Sequence, residues 1–515
     1  IIGGLFINKD KNFIKYNPAF QVIREVDFQK NTFQTRLISW RAALKDFKEH
    51  PILGVGHGNY AVIFDKYFEP TFYDYTRSET YFDRAHNNII DIGSTSGALG
   101  LLTYLSIFFA VAGYLIRAYR KDRITIHEFI LLSSLIIAYF VQNLAVFDSF
   151  TTYLSLMITL GFIYFLVNKE NDSKGVSRYA HAGDKEFRNI DLFIFLILII
   201  AMSMVLFKYN IRPIQMLRGV IYGQIAFGQE GYLEKGFEIY KKGLSYNTPL
   251  DRDGRDSLTR VIISDFPLNK VGYEKAEEML EYTIDMANKN IEYNPQDALM
   301  HTDLSQLYGV AADFYNGKDE EKFIYYSDKS LEEINKAIEI SPMRIPVYFV
   351  KSYFYSVRYE KDKAIETIEY ATTLNEKYYD SFCHLARYYF MDKQNFKGFE
   401  NMDKCLDLGG QDLLVSEGYV RNMIEYYTDK DDTYKLIKLY DRLTKIKPIE
   451  PKPWLRLASL YGKVGDMENL LIVSEKAVKI DPTLRDNMDA IIQITKDNAW
   501  AEVEKEAEGK VESEE

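Results

Sequence analysis

Imidazole is the side chain best suited to move a proton near neutral pH. The layout around one of the seven histidines of this 515-residue sequence, His86, makes it a candidate for that work. It stands in the stretch from Arg84 through Asn87 to Gly97 and Gly100, a few residues before a long apolar run. An imidazole exchanges protons near neutral pH and serves as general base or acid. Upstream, Arg36 lies one helical turn before Trp40. A guanidinium stays charged and grips phosphate oxygens in a bidentate fork, so Arg36 suits a phosphorylated lipid headgroup. The same segment also reads as an amphipathic helix at a membrane surface. Phe33, Leu37, Trp40, Leu44 and Phe47 recur at helical spacing as one apolar stripe, with Arg36, Arg41, Lys45 and Lys48 on its flanks. Pro51 stops that helix at His50. Pro51 to Gly58 carries Gly54, Gly56 and Gly58 without the spacing of a dinucleotide fingerprint or a P-loop. It reads as a tight loop that lets backbones approach closely. The rings of Tyr67, Phe68, Phe72, Tyr73, Tyr75 and Tyr81 suit a membrane interface or stacking on sugars. The loop carries no clear metal-ligand set, and no cofactor motif is present.

These groups depend for their placement on four apolar runs, roughly Ala98–Ile116, Ile126–Phe147, Phe150–Val167 and Ile190–Phe207. Each has the roughly 17–25 residues needed to cross a bilayer. Arg117, Arg120, Lys121 and Arg123 follow the first run. Lys169, Lys174, Arg178, Lys185 and Arg188 follow the third, whereas only Asp148 and Ser149 join the second to the third. Basic loops favour the cytoplasm, which assigns Asn8–Gly97 and everything after Lys208 to the extracytoplasmic side. The opening Ile-Ile-Gly-Gly-Leu-Phe, with no initiating Met and no basic flank, reads as the tail of an apolar helix in a chain that starts mid-protein. A net charge of −11 without a strong basic patch argues against nucleic acid as a partner.

From about Ile211 the sequence repeats itself. Trp454, Leu457, Ala458, Tyr461, Leu470, Ser474, Ala477 and Pro482 fall at tetratricopeptide spacings. Tyr348, Ser352, Tyr355, Ala364, Ile368 and Ala371 make an earlier unit. Phe382, Leu385, Ala386, Tyr389, Gly398, Met402 and Cys405 make the next, offset by the roughly 34 residues of that repeat. Looser units occupy Val220–Pro249, Leu258–Pro295, Leu304–Pro342 and Val415–Pro448. Stacked helix pairs of this kind build a solenoid whose groove binds protein. His301 and His384 read as groove or packing residues. Cys405 occupies a small-residue packing position, which points to a buried free thiol rather than a bond to Cys383, although the outer compartment permits one.

Three elements in fixed order resemble the O-antigen ligase and polymerase superfamily of bacterial membrane glycosyltransferases. They are Arg36 with Trp40, the Pro-Ile-Leu-Gly-Val-Gly run of Pro51 to Gly56, and His86-Asn87 followed by Gly97 and Gly100. His57 and Thr95 depart from the family pattern, in which proline and an acidic residue are frequent there. The resemblance implies transfer of a glycan from an undecaprenyl-pyrophosphate donor to a hydroxyl on a lipid, polysaccharide or protein acceptor. His86 would be the general base or hold the acceptor; Arg36, and less directly Arg84, would bind the pyrophosphate; Trp40, Asn87, Gly97 and Gly100 would support the motif. No metal is required, because fixed guanidinium charge can stabilise the leaving pyrophosphate. The alternative is a catalytically inactive, membrane-anchored tetratricopeptide scaffold for envelope polysaccharide assembly. The expected fold is all-α: polytopic transmembrane helices with a large extracytoplasmic loop, then a tetratricopeptide α-solenoid. The expected domains are 1–97 (a truncated helix end and the catalytic loop), 98–208 (four spans), 209–495 (the solenoid) and 496–515 (an acidic tail).

Overall fold

The computed structural model describes residues 31–76, 81–168, 189–229, 231–265 and 267–511. The apolar opening, the cations Lys169 to Arg188 and the last residues of the acidic tail lie outside these. Every regular element among the described residues is helical. The chain divides into two compact units, Ile1–Arg358 and Tyr359–Glu515.

In the first unit, α1 spans Asn31–Glu49 and α2 Tyr60–Lys66. Helix α1 buries Thr35, Ile38, Ser39, Ala42, Ala43 and Asp46, not the expected apolar stripe, and Leu44 is 53% exposed. The reason is close approach. Small residues let α2 come near enough for the Ser39 and Tyr60 hydroxyls to bond at 2.7 Å. The larger apolar side chains are left at the surface of the described residues, or half-buried.

Among the described residues, three helices are apolar and long enough to cross a membrane: Asn88–Arg120 (α3), the Phe150–Val167 part of α5 (Phe150–Asn168), and a continuous stretch Phe193–Phe227. The fourth apolar helix, α4, covers Ile126–Gln142 and is shorter than the run that suggested it. Its start is fixed by a capping box: Thr125 Oγ1 accepts from Glu128 N, and the Glu128 carboxylate accepts from Thr125 N at 2.7 Å. Val111, Leu115, Ile136, Leu156 and Ile163 join α3, α4 and α5 in one apolar cluster. Phe109, Leu131, Ile158 and Tyr164 face outward and are more than half exposed. So broad an apolar surface marks a membrane-embedded part. The last stretch comprises α6 (Asn189–Leu206), a π-turn at Phe207–Ile211 and α7 (Arg212–Phe227), running on without a break.

Helix α7 is also the first repeat helix. Each repeat read from the sequence in this unit appears as a helix pair: α7 with α8 (Leu233–Leu244), α9 (Asp251–Asp265) with α10 (Tyr273–Tyr293), and α11 (Ala298–Tyr315) with α12 (Glu320–Ile340). Helix α13 (Ile345–Val357) opens the next repeat. His301 is buried on α11, its Nδ1 2.6 Å from Glu333 Oε2 and its Nε2 3.2 Å from the Pro295 carbonyl. With a partner at each nitrogen, the ring is held as a packing residue between α11 and α12.

Nearby, Arg260 Nε sits 3.1 Å from Asp256 Oδ1 and 3.3 Å from Asp303 Oδ2. Burial, reinforced by Asp256 and opposed by Arg260, pushes the Asp303 carboxyl up to about 7. A folded-state value above the unfolded one stabilises at low pH and is lost as pH rises through it. Amide protection on α9 and α11 is therefore expected to weaken by an amount on the order of 2 kcal/mol between pH 5 and 8. The measurement is hydrogen exchange corrected for intrinsic rates, and Asp303→Asn should flatten the dependence.

The second unit continues the repeats. It holds α14 (Lys361–Leu374), α15 (Tyr379–Met391) with α16 (Asn395–Asp407), α17 (Glu417–Asp429) with α18 (Thr433–Ile446), and α19 (Pro451–Lys463) with α20 (Met467–Ile480). Helix α21 closes it over Arg485–Val511. Ala364, Ala386 and Ala477 are fully buried between helices. Cys383 and Cys405 form a disulfide, which corrects the expectation of a free thiol. The small-residue position of Cys405 brings α16 within disulfide reach of α15, with Cα atoms 5.1 Å apart. Closing a loop across a separation of 22 residues is worth about 3 kcal/mol. Cys383→Ser should lower the stability of this unit by about that much in urea unfolding, and protein isolated without reductant should show no free thiol.

Candidate active site

The site is built on the start of α3. Asn87, extended at φ −162°, is its N-cap and accepts from Ile89 N and Ile90 N. His86 precedes it at φ 52°, in the left-handed region that few non-glycine residues occupy, and its neighbours are fixed. They are held from both sides. Asp91, buried in the first turn of α3, accepts from Ala85 N at 3.1 Å and from Arg84 Nε at 2.7 Å. Trp40 Nε1 donates to the Ala85 carbonyl at 2.7 Å. Trp40 thus fixes the backbone one residue before His86, and Asp91 fixes Arg84.

The expected cations and the histidine converge on one short segment. His86 stacks edge-on between Phe82 and Phe147, with centroids 5.6 and 5.1 Å away. The Arg84 guanidinium lies 5.3 Å from the Phe147 ring centroid. Arg36 Nη1 donates to the Ala145 carbonyl at 3.1 Å. Residues 143–149, between α4 and α5, therefore form the floor that all three share. Asp148 ties that floor to α3, accepting from Asn88 Nδ2 at 2.7 Å, Tyr139 OH at 2.6 Å and Asn143 Nδ2 at 3.1 Å. Asn143, Phe147 and Asp148 were missed as site residues because the apolar Leu144 to Phe147 prolonged the preceding run. The polar Asn143 and Asp148 at either end were the available signal.

The glycines bind the two motif segments together. Gly97 interrupts α3 at φ 66°, ψ −169°, a conformation open essentially to glycine alone. The kink frees four backbone bonds to the preceding loop: Val55 N to Ser94 O, Gly56 N to Thr95 O, Ala98 N to Pro51 O, and Leu99 N to Ile52 O. A Cβ on Gly97 would lie 2.2 Å from Ile52 O, and one on Gly54 would lie 2.4 Å from Ser94 O. One turn past the kink, a Cβ on Gly100 would meet the Ser96 Cβ at 2.3 Å. Thr95 is fully buried, and its hydroxyl is satisfied by the Asp91 carbonyl at 2.7 Å, so this position packs rather than faces the site.

Among the described residues, one further group has ligand chemistry. Asp46, Glu49 and His50 at the end of α1 bring metal-binding atoms within 4.8 Å of one another. Lys66 Nζ already sits 2.6 Å from Glu49, which makes the cluster an ion-pair network. The Arg36, Arg84 and His86 constellation does not include it.

Residues 5–105 match the family model Wzy_C, O-antigen ligase, which takes in Arg36, Trp40, Arg84, His86, Asn87, Gly97 and Gly100. The match spans about a fifth of the chain, and its first part precedes the described residues. The protein is thus an O-antigen-ligase-like region joined to tetratricopeptide-type repeats. No curated protein matches the chain. Among solved structures, a thermophilic TPR protein of Thermus thermophilus is similar at 18% identity, covering 38% of this chain and 93% of that one with a TM-score of 0.29. For pilF of Pseudomonas aeruginosa the values are 16%, 46%, 99% and 0.25. For a human IFIT1 dimer they are 13%, 89%, 97% and 0.35. Superpositions this loose leave the repeat assignment resting on the spacing and pairing of the helices.

Proposed function

We propose that this chain is a membrane glycosyltransferase of the O-antigen ligase or polymerase type. It moves a glycan from an undecaprenyl-pyrophosphate donor to a hydroxyl on a lipid, polysaccharide or protein acceptor, at the outer face of the cytoplasmic membrane. The observation that carries this reading is the convergence of Arg36, Arg84 and His86 on residues 143–149, at the mouth of the apolar helices. Two fixed guanidinium groups would hold a pyrophosphate and stabilise its charge as it leaves. His86 would take the proton of the attacking hydroxyl. The Cys383–Cys405 disulfide supports an oxidising, extracytoplasmic compartment for the repeats. Arg117, Arg120, Lys121 and Arg123 at the far end of α3 support the matching orientation. The repeats would bind a protein partner.

The test feeds a labelled undecaprenyl-pyrophosphate oligosaccharide to membranes carrying wild type or His86→Ala. Label should leave the lipid only with wild type, and the mass of the labelled product names the acceptor. Label retained on the donor by both, with the variant inserted normally, would instead identify an inactive scaffold.

A further inference from the structure

The first repeats do more than offer a groove: they grip the loop that carries the site. Asp65, near the end of α2, is 1% exposed. Its Oδ1 pairs with Arg344 Nη2, and its Oδ2 accepts from Ala298 N at 3.3 Å, at the start of α11. Arg344, at the start of α13, is 5% exposed, and its guanidinium carbon lies 4.8 Å from the Phe68 ring centroid. Beside it, Arg252 of α9 pairs with Asp297 and bonds Tyr81 from the loop.

From Phe68 an unbroken file of rings leads to the site. Phe68 and Phe64 are 5.4 Å apart, Phe64 and Phe82 5.2 Å, and Phe82 and His86 5.6 Å. Phe64 and Phe82 are buried, so none of these rings can shift alone without opening a void. The two ends of the file differ in kind. At Arg344 a buried carboxylate is neutralised; at His86 a proton would move.

We propose that Arg344 is a positioning residue for His86, acting through the Asp65 pair and the Phe68, Phe64 and Phe82 rings. The proposal rests on the glycosyl-transfer reading of His86. Removing the guanidinium leaves the Asp65 carboxylate buried and uncompensated. Burial already pushes the Asp65 carboxyl up, so the charge is relieved either by protonating Asp65 in place or by lifting α2 toward water. On this proposal α2 lifts, which drags the ring file and displaces the imidazole.

The experiment uses the full chain in membranes, with the labelled donor above, and compares wild type, Arg344→Gln, the double variant D65N/R344Q and Lys435→Ala. The last removes an ion pair with Asp403 in the second unit, 2.8 Å long, and controls for general destabilisation. Arg344→Gln should lower turnover by about tenfold with donor KM unchanged, the behaviour of a displaced catalytic group. The double variant leaves no lone buried charge and should regain most turnover; Lys435→Ala should behave as wild type. In parallel, the rate at which diethyl pyrocarbonate modifies His86 is followed by peptide mass spectrometry. That rate should change in Arg344→Gln and return in the double variant.

Full turnover in Arg344→Gln, or lost turnover with an unaltered His86 modification rate, overturns the proposal. If wild type transfers no glycan, the transfer reading fails. The modification rates then still decide whether Arg344 sets the position of His86.

Discussion

A methyl group added at Gly97 is expected to unseat the Pro51–Gly58 loop from α3. At φ 66°, ψ −169° any side chain is strained, and here the added carbon would also stand 2.2 Å from Ile52 O and 2.5 Å from Leu53 N. Those are backbone atoms, so no rotamer change relieves the clash. The strain alone is about 1–3 kcal/mol, and the overpacking adds a similar amount. The local cost of about 3 kcal/mol or more exceeds what four loop-to-helix hydrogen bonds can hold, at about 1 kcal/mol each less the entropy of ordering the loop. Gly97→Ala should therefore lose amide protection at Val55, Gly56, Ala98 and Leu99 while α9 to α12 keep theirs. Gly58→Ala is the control. Gly58 also has a positive φ, but its Cβ would meet nothing within 4 Å, so only the conformational term of about 1 kcal/mol applies. Equal protection in both variants would mean that the loop is not seated on α3 as described.

Replacing His86 with alanine should lower glycan transfer by about 10²–10⁴-fold, the range of a lost general base. Asn87 remains to cap α3, so the loss should appear in turnover and not in insertion. Added imidazole should restore part of the rate if proton removal is what the variant lacks. Arg36→Ala should differ in kind. It removes a charge that would stabilise the leaving pyrophosphate, at a cost of about 10²–10³-fold that imidazole does not restore. Equal imidazole rescue of both variants would rule out the division of labour between base and cation.

Trp40, Asn87 and Gly97 were named as site residues only through the family resemblance, and the backbone work they do became visible in the fold. Asn87 caps α3, Gly97 adopts a conformation other residues avoid, and Trp40 reaches the Ala85 carbonyl. What escaped depended on separations that no local pattern encodes. The apolar stripe of α1 gave no hint of its other face, where small residues decide how near α2 comes. The floor at residues 143–149 hid inside an apolar run. Cys405 fits a repeat's small-residue slot as well bonded as free, and Asp65 meets Arg344 across a separation of 279 residues. The helix pairs, by contrast, followed from repeat spacing, since each unit can bury its apolar face only against its neighbours.

The unbroken helix from Phe193 to Phe227 has a mechanical consequence. Its 35 residues make a rod about 52 Å long, of which about 30 Å suffices to cross a hydrocarbon core. A flexible tether would let the repeats find Asp65 from many directions; a rod does not. Each residue added to it advances everything beyond by about 1.5 Å and turns it by about 100°. The π-turn at Phe207–Ile211 is the kind of place where one such step is absorbed. Depth and azimuth are then one variable, as on a screw thread, and the rod's length is a phase setting that brings Arg344 round to face its carboxylate.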